Sequence, residues 1–374
     1  MIFIMTVVIS FVASVLMKNT RIVGAAGFFV LAWLAGSADA RTTLDYGVYQ
    51  THYNALGLEV SPFEKGYTWL STIFKNQGVS YQEFRLYFVL LAFVILYIGV
   101  LMFTKNIAMF TWVYGVTVYF NDATQVRNLM MIALVVLGMG IFTTWNVALG
   151  KVIGSIVILI SSQFHDLGFF FCMVVPLFFV PKDFMKKISS ITIGVSAFFA
   201  LIISVFGNGM VTTLLVRFLT IFSSRSASSE NVEAHFSRGT SLSVLILIWV
   251  SVLLVWRLSI LFAQQLDSNV EFNGSKTRML IAGMIVSILT LFLILMSPDY
   301  SRISRNAFLF FIILATMYFT NKSNKIVRVR GAKILFVLTL ILMAYTHTMI
   351  WGNDYQKSIP YIAQLKDSNI ISGE

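Results

Sequence analysis

Residues 297–310, SPDYSRISRNAFLF, place Arg302 and Arg305 three apart immediately ahead of an apolar run. On a helix that spacing puts two guanidinium groups on one face, beside the backbone N–H groups of a helix N-terminus, a pattern suited to gripping a diphosphate. The competing reading is a collar of arginines at a membrane interface. Arg127 repeats the pattern singly, in FNDATQVRNLMM (120–131), at the first turn of another apolar helix. There, too, snorkelling to the interface is the plainer alternative. RTTLDYGVYQTHY (41–53) carries Arg41, Asp45, Tyr49 and Tyr53 at intervals of four, which places them on one slowly drifting helix face. This stretch reads either as an interfacial anchor helix with an Arg41–Asp45 pair or as a wall of a sugar site, where tyrosine faces stack on sugar rings and a carboxylate accepts from hydroxyls. PFEKGYTWLSTIFKNQG (62–78) follows, with Glu64 ahead of Tyr67 and Trp69.

Candidates for proton transfer are few. SQFHDLGFF (162–170) contains His165-Asp166 between two short apolar runs, and a histidine beside an acid at the membrane surface is a general-base candidate; a satisfied polar turn is the alternative. Glu64 is a third. The stretch 207–240 is a second long insertion with a Ser-rich middle, carrying Arg217, Arg225, Glu230, Glu233 and His235. It reads as a possible lid over a site or as a solvated loop. His347 lies in an apolar run and reads as a core residue. P-loop, G-x-S-x-G and H-E-x-x-H patterns are all missing, so neither a metal nor a cofactor is expected.

The elements that must position these groups are membrane helices. The chain has 374 residues, of which 58% are hydrophobic and only 11% charged. A soluble surface needs about 25% charge, so lipid must supply the cover. We expect an all-α, polytopic integral membrane protein forming a single transmembrane domain over 1–374. Its expected spans number about twelve: 1–17, 22–36, 84–104, 107–120, 127–145, 152–164, 167–181, 188–206, 241–262, 279–296, 307–320 and 333–351, several of them short. Polar segments 37–83, expected to hold interfacial amphipathic helices, and 207–240 would be its large loops. The single cysteine, Cys172, excludes an intrachain disulfide.

Alternating the loops assigns them to two sides of very different charge. One side collects 14 Lys and Arg against three acids, the other 12 against 13, so the whole net charge of +11 falls on the first side or its edge. The positive-inside rule makes that side cytosolic and sends both termini outward. The excess charge is thereby explained by topology and anionic headgroups rather than by nucleic acid. A second asymmetry is not explained by topology. Ten of the 14 cytosolic bases are Lys, whereas eight of the 12 outer bases are Arg, including Arg41, Arg85, Arg127, Arg302 and Arg305. Arginine offers the planar fork that binds phosphate at two points.

In chain order these pieces are Arg41, Asp45, Tyr49 and Tyr53, then Glu64-Lys65-Gly66-Tyr67, then Gln125-Val126-Arg127-Asn128, then Phe164-His165, then Arg302-Ile303-Ser304. The series resembles EpsG-type proteins, within the broader Wzy-type bacterial polysaccharide polymerases, from about Arg41 to about Arg305. The resemblance implies a multi-pass protein of the bacterial inner (cytoplasmic) membrane whose site faces the periplasm or exterior. It implies a glycosyltransferase that joins oligosaccharide repeats of O-antigen, capsule or exopolysaccharide carried on undecaprenyl diphosphate. A flippase and a chain-length regulator would be its partners. On this reading Arg127, Arg302, Arg305 and Arg41 hold the diphosphate, and Asp45, Tyr49, Tyr53 and Tyr67 line the sugar. His165 is the first base candidate, with Asp166 and Glu64 behind it, and Arg217, Arg225 and His235 belong to the lid. Two alternatives stay open. One is an O-antigen ligase or other lipid-linked glycosyl or acyl transferase; the other, from a different class, is a transporter or flippase.

Overall fold

The apolar runs all become helices. In a computed structural model the described residues are 2–17, 20–38, 40, 43, 45–145, 147–207, 209, 212–213, 217, 240–267, 274–296, 301–320 and 332–346; for 182, 183, 186, 302 and 303 only the backbone is described. Arg41, Arg225, His235 and His347 lie outside them. In chain order the helices are α1 (Ile2–Leu16), α2 (Arg21–Gly36), α3 (Tyr46–Ala55), α4 (Lys65–Asn76), α5 (Tyr81–Phe103), α6 (Ile107–Val116), α7 (Tyr119–Thr124), α8 (Val126–Thr144), α9 (Ala148–Ser161), α10 (Gly168–Phe171), α11 (Val174–Phe178), α12 (Lys182–Phe206), α13 (Leu242–Asp267), α14 (Gly274–Leu289), α15 (Ser301–Thr320) and α16 (Ala332–Tyr345). A 3₁₀ turn, Leu291–Leu295, extends α14. No β-strand occurs among the described residues; Leu56 and Glu59 form an isolated bridge. The protein is an all-α integral membrane protein.

Five stretches are long and apolar enough to cross a bilayer: Tyr81–Phe103, Val126–Thr144, Lys187–Phe206, Leu242–Asp267 and Gly274–Leu295. The other expected spans are shorter apolar helices, and the one expected at 167–181 is split into α10 and α11. Pro176 lies within α11. Its ring removes one backbone donor and disfavours a continuous helix there.

Helix α8 is the axis of the bundle, 94% buried, and packs most extensively on α5 and α9. The contact with α9 is backbone on backbone. A Cβ on Gly138 would stand 2.7 Å from Gly154 O, and one on Gly154 2.6 Å from Gly138 O. Lipid tails are as apolar as leucine, so close packing of this kind, rather than exclusion of water, drives association between spans.

The two ends of the bundle carry different cations. At one end Lys276 Nζ reaches the Met102 carbonyl at the close of α5, and Ser275 Oγ reaches Thr143 O at the close of α8. Lys151 there lies 5.7 Å from the centre of the Phe179 ring, and Arg278 5.5 Å from that of Phe178. The opposite end gathers α3, α4, the starts of α5, α8 and α15, and the close of α9. Loops that the charge count puts on one side meet at the first end, and loops that it puts on the other side meet at the second.

At that second end, 37–83 forms the two short helices expected of it. Lys75 donates from α4 to Asn54 O and Leu56 O at 2.7 and 2.8 Å, capping the C-terminus of α3 where a cation also meets the helix dipole. In α4, Tyr67 and Ser71 are buried while Trp69 is 64% exposed, the pattern of an interfacial helix. Helix α5 opens on a reciprocal cap. Ser80 Oγ accepts from Glu83 N, and the Glu83 carboxylate accepts from Ser80 N at 3.0 Å.

Candidate active site

Glu64 is the centre of the cluster. It precedes α4, is 0% exposed, and pairs with Arg127 Nη1 from the first turn of α8. Its other oxygen, Oε1, accepts from the backbone N–H of Asp166 at 3.3 Å. One carboxylate therefore ties the first large loop, the start of α8 and the His165-Asp166 turn together. Taking both charges out of water is costly, and only pairing with further hydrogen bonds makes burial tolerable. Tyr49 Oη supplies one by accepting from Arg127 Nε at 3.1 Å.

Gly66 explains how the loop gets so close. Its N–H donates to Gln163 O at 2.8 Å, and a Cβ there would sit 2.8 Å from that same oxygen. Any side chain would push α4 off the 162–166 turn and pull Glu64 with it. The spacing Glu64-x-Gly66-Tyr67 thus has a mechanical reason: the acid, the close approach and the inward tyrosine fall within the four residues 64–67.

The tyrosines expected on one face do share it, and the face looks inward. Tyr49, Tyr53 and Tyr67 are all buried. Tyr49 and Tyr67 pack with Phe63 around the Arg127 guanidinium, which lies 4.2 Å from the Phe63 ring centre and 5.4 Å from that of Tyr49. Burial pushes the Tyr67 phenol well above its usual pKa. Tyr53 Oη donates to Val79 O at 2.8 Å, bracing α3 against the approach to α5. Asp45 begins α3 in the left-handed conformation, with φ 63°, and is half-buried.

Arg305 enters from the second turn of α15. Its Nη1 donates to Asn121 Oδ1 and its Nη2 to Gln125 Oε1, the latter at 2.7 Å. These acceptors belong to the segment just ahead of Arg127. Asp122 in the same segment accepts from Tyr114 Oη at 2.8 Å. Burial pushes its carboxyl up to about 6, against the opposing pull of the Tyr114 hydroxyl and the Arg305 charge. The backbone of Arg302 lies in the first turn of α15, one turn before Arg305. Arg217 is exposed and falls in the stretch assigned to the lid.

The His165-Asp166 turn follows α9. His165 Nδ1 accepts from Leu167 N at 3.3 Å, so the neutral ring carries its proton on Nε2, and that nitrogen is a donor. Asp166 is buried. Among the described residues no group of three or more His, Cys, Asp or Glu is placed to hold a metal ion.

The sequence did not single out Asn121 or Asp122, and it marked Arg85 only as one of the outer arginines and Gln125 only as part of a motif. Arg85, one turn into α5, is 1% exposed; its Nη2 donates to Ala123 O at 2.7 Å and its guanidinium lies 5.4 Å from the Tyr46 ring centre. The available signal was an arginine inside an apolar run rather than ahead of it.

No curated protein and no solved structure matches the chain. The model of the EpsG family matches residues 21–363, nearly its whole length, and spans every segment that contributes to the cluster; the chain belongs to the EpsG family.

Proposed function

We propose that this membrane protein is a polymerase that joins oligosaccharide repeats carried on undecaprenyl diphosphate, at the outer face of the bacterial cytoplasmic membrane. The observation that carries the reading is the Glu64 hub. It draws sequence-distant outer segments into one buried charged cluster, with Arg305 entering beside it through Asn121 and Gln125. Family membership and the Arg-rich, charge-balanced outer loops support the same conclusion.

The chemistry asks for three things. A lipid diphosphate is already an activated leaving group, so its negative charge must be stabilised as the anomeric C–O bond breaks; preorganised guanidinium groups at low dielectric do this well. Arg305 and Arg302 at the head of α15, with Arg41, hold the diphosphate. Arg127, neutralised by Glu64, sets the position of the cluster and presents its remaining donors. The acceptor hydroxyl must lose a proton as the new glycosidic bond forms, which calls for a carboxylate or imidazole. Both Glu64 oxygens are engaged and His165 Nε2 is a donor, so Asp166 is the base and His165 donates to a sugar or phosphate oxygen. The proton passes to Asp166, the bond to the acceptor oxygen forms at the anomeric carbon, and undecaprenyl diphosphate leaves with the electron pair. Asp45, Tyr49, Tyr53 and Tyr67 shape the sugar-facing wall.

The test is purified protein in nanodiscs with a synthetic lipid-diphosphate repeat. The reading expects a ladder of lipid-linked products, lost in Asp166→Asn and in Arg305→Ala. Transfer of preformed glycan to a different acceptor without chain growth would identify a ligase instead. Movement of the intact lipid-linked repeat across a vesicle bilayer would identify a flippase.

A further inference from the structure

Arg85 is a buried guanidinium that the proposed mechanism does not use. Its one hydrogen bond of good geometry among the described residues runs from Nη2 to Ala123 O; Nε and Nη1 are buried without an acceptor of good geometry, and the Tyr81 hydroxyl lies close enough to interact with the guanidinium. No carboxylate among the described residues pairs with it; the nearest identified neighbours are the Tyr46 ring and the Tyr81 side chain. An ionised group so placed carries a large desolvation cost that one carbonyl and two tyrosines repay only in part. A purely structural cation would be expected to resemble Arg127, which has a carboxylate, a phenol and aromatic faces around it.

Its position gives the charge a use. Ala123 lies between Asn121 and Gln125, the two residues that accept from Arg305. The five residues 121–125 thus hold two arginines, from α5 and from α15, both just ahead of Arg127. Tyr46, which lies over Arg85, opens helix α3 directly after Asp45 in its left-handed conformation. A small swing of the start of α3 would lift the ring from the guanidinium.

The geometry points to Arg85 as a further binding residue of the site: its Nε and Nη1 donors receive an oxyanion of the substrate, the carrier diphosphate, when Tyr46 moves aside. This rests on the proposed polymerase reading for the identity of the diphosphate, though not for the existence of an oxyanion site. Each of these donors can make a charge-assisted bond to a phosphate oxygen.

Thermal shift and equilibrium binding in phosphatidylcholine nanodiscs test it, using wild type, Arg85→Met and Arg85→Lys. Undecaprenyl diphosphate and inorganic pyrophosphate are added separately, and a third arm replaces part of the phosphatidylcholine with phosphatidylglycerol. Replacing an uncompensated buried charge by an apolar side chain of similar length should leave the unliganded melting temperature unchanged or raised. It should weaken undecaprenyl diphosphate binding about tenfold or more, as expected for loss of a charge-assisted pair. Arg85→Lys should recover part of the affinity.

A lower unliganded melting temperature in Arg85→Met with undiminished diphosphate binding would show a structural role and overturn the inference, leaving the polymerase reading standing. Stabilisation by phosphatidylglycerol alone, lost in Arg85→Met, would assign the site to a bilayer headgroup and overturn the carrier assignment. Diphosphate binding that depends on Arg85 in a protein that makes no polymer would refute the polymerase reading and keep the site.

Discussion

The Glu64–Arg127 pair makes a prediction whose size can be worked out. Side-chain exposure is 0% for Glu64 and 8% for Arg127, so solvent does little to screen either charge. Replacing Glu64 by Gln keeps the shape but strands a buried guanidinium, a loss of about 3–5 kcal/mol. Unfolding entropy of roughly 2 cal/mol/K per residue over a chain of this length turns that into a drop of about 4–6 °C in melting temperature. Arg127→Met strands Glu64 and should cost a similar amount. The double variant Glu64→Gln, Arg127→Met removes both charges and should regain most of the stability, with a coupling energy well above the ~0.5 kcal/mol expected of independent sites. The assay is thermal unfolding of the four proteins in nanodiscs, read by intrinsic fluorescence, with polymer formation measured in parallel. All three variants should lose activity, because each releases the 162–166 turn or the 37–83 loop. A Glu64→Gln protein as stable as wild type, or single losses that simply add in the double variant, would refute the argument that this pair holds the site together.

Gly66→Ala should lower stability by about 1–3 kcal/mol, because the new methyl group must displace the Gln163 carbonyl; a melting curve checks the stability, and polymer formation should fall with it. Asp122, with its carboxyl raised to about 6 in the folded protein, binds a proton there that the unfolded chain has already released between about pH 4 and 6. Its contribution to stability is therefore present in full below about pH 4 and is lost as pH rises through 6. Asp122→Asn should flatten that part of the stability–pH curve, measured by denaturation from pH 4 to 8. Arg305→Lys keeps the charge but cannot span both Asn121 and Gln125; it should raise KM for the lipid-linked repeat by about tenfold or more, as a fork-to-point replacement does.

The membrane architecture was legible because it depends on local composition. Apolar runs, flanking charges and the Arg–Lys asymmetry gave helices on the right stretches and grouped the right loops. Composition already marked the runs that become α6 and α9 as short; what it did not show was that 167–181 breaks into α10 and α11. At the site, Glu64, Arg127, Arg305, His165, Asp166 and the tyrosines were recognisable by residue type and place in the loops. Their partners were not, since Glu64 meets Arg127 across 63 positions and Asp166 across 102. The tyrosine face of α3 was seen as a face but not as an inward one, because a period of four says which residues align and not what they look toward. Arg85 was hidden because an arginine near the end of an apolar run has a ready explanation in snorkelling; only its burial beside Ala123 removes that explanation.

The central position of α8 has a consequence for biogenesis. When Val126–Thr144 leaves the translocon, α9 and α14, which help to enclose it, have yet to be synthesised. Arg127, Asn128 and Thr143 then face acyl chains or the insertion machinery until the following hairpin arrives, and the backbone fit of Gly138 on Gly154 makes α9 the natural first companion. The nascent protein should therefore pass α8 and α9 into the bilayer as a paired unit, and chains truncated between them should be marked for proteolysis.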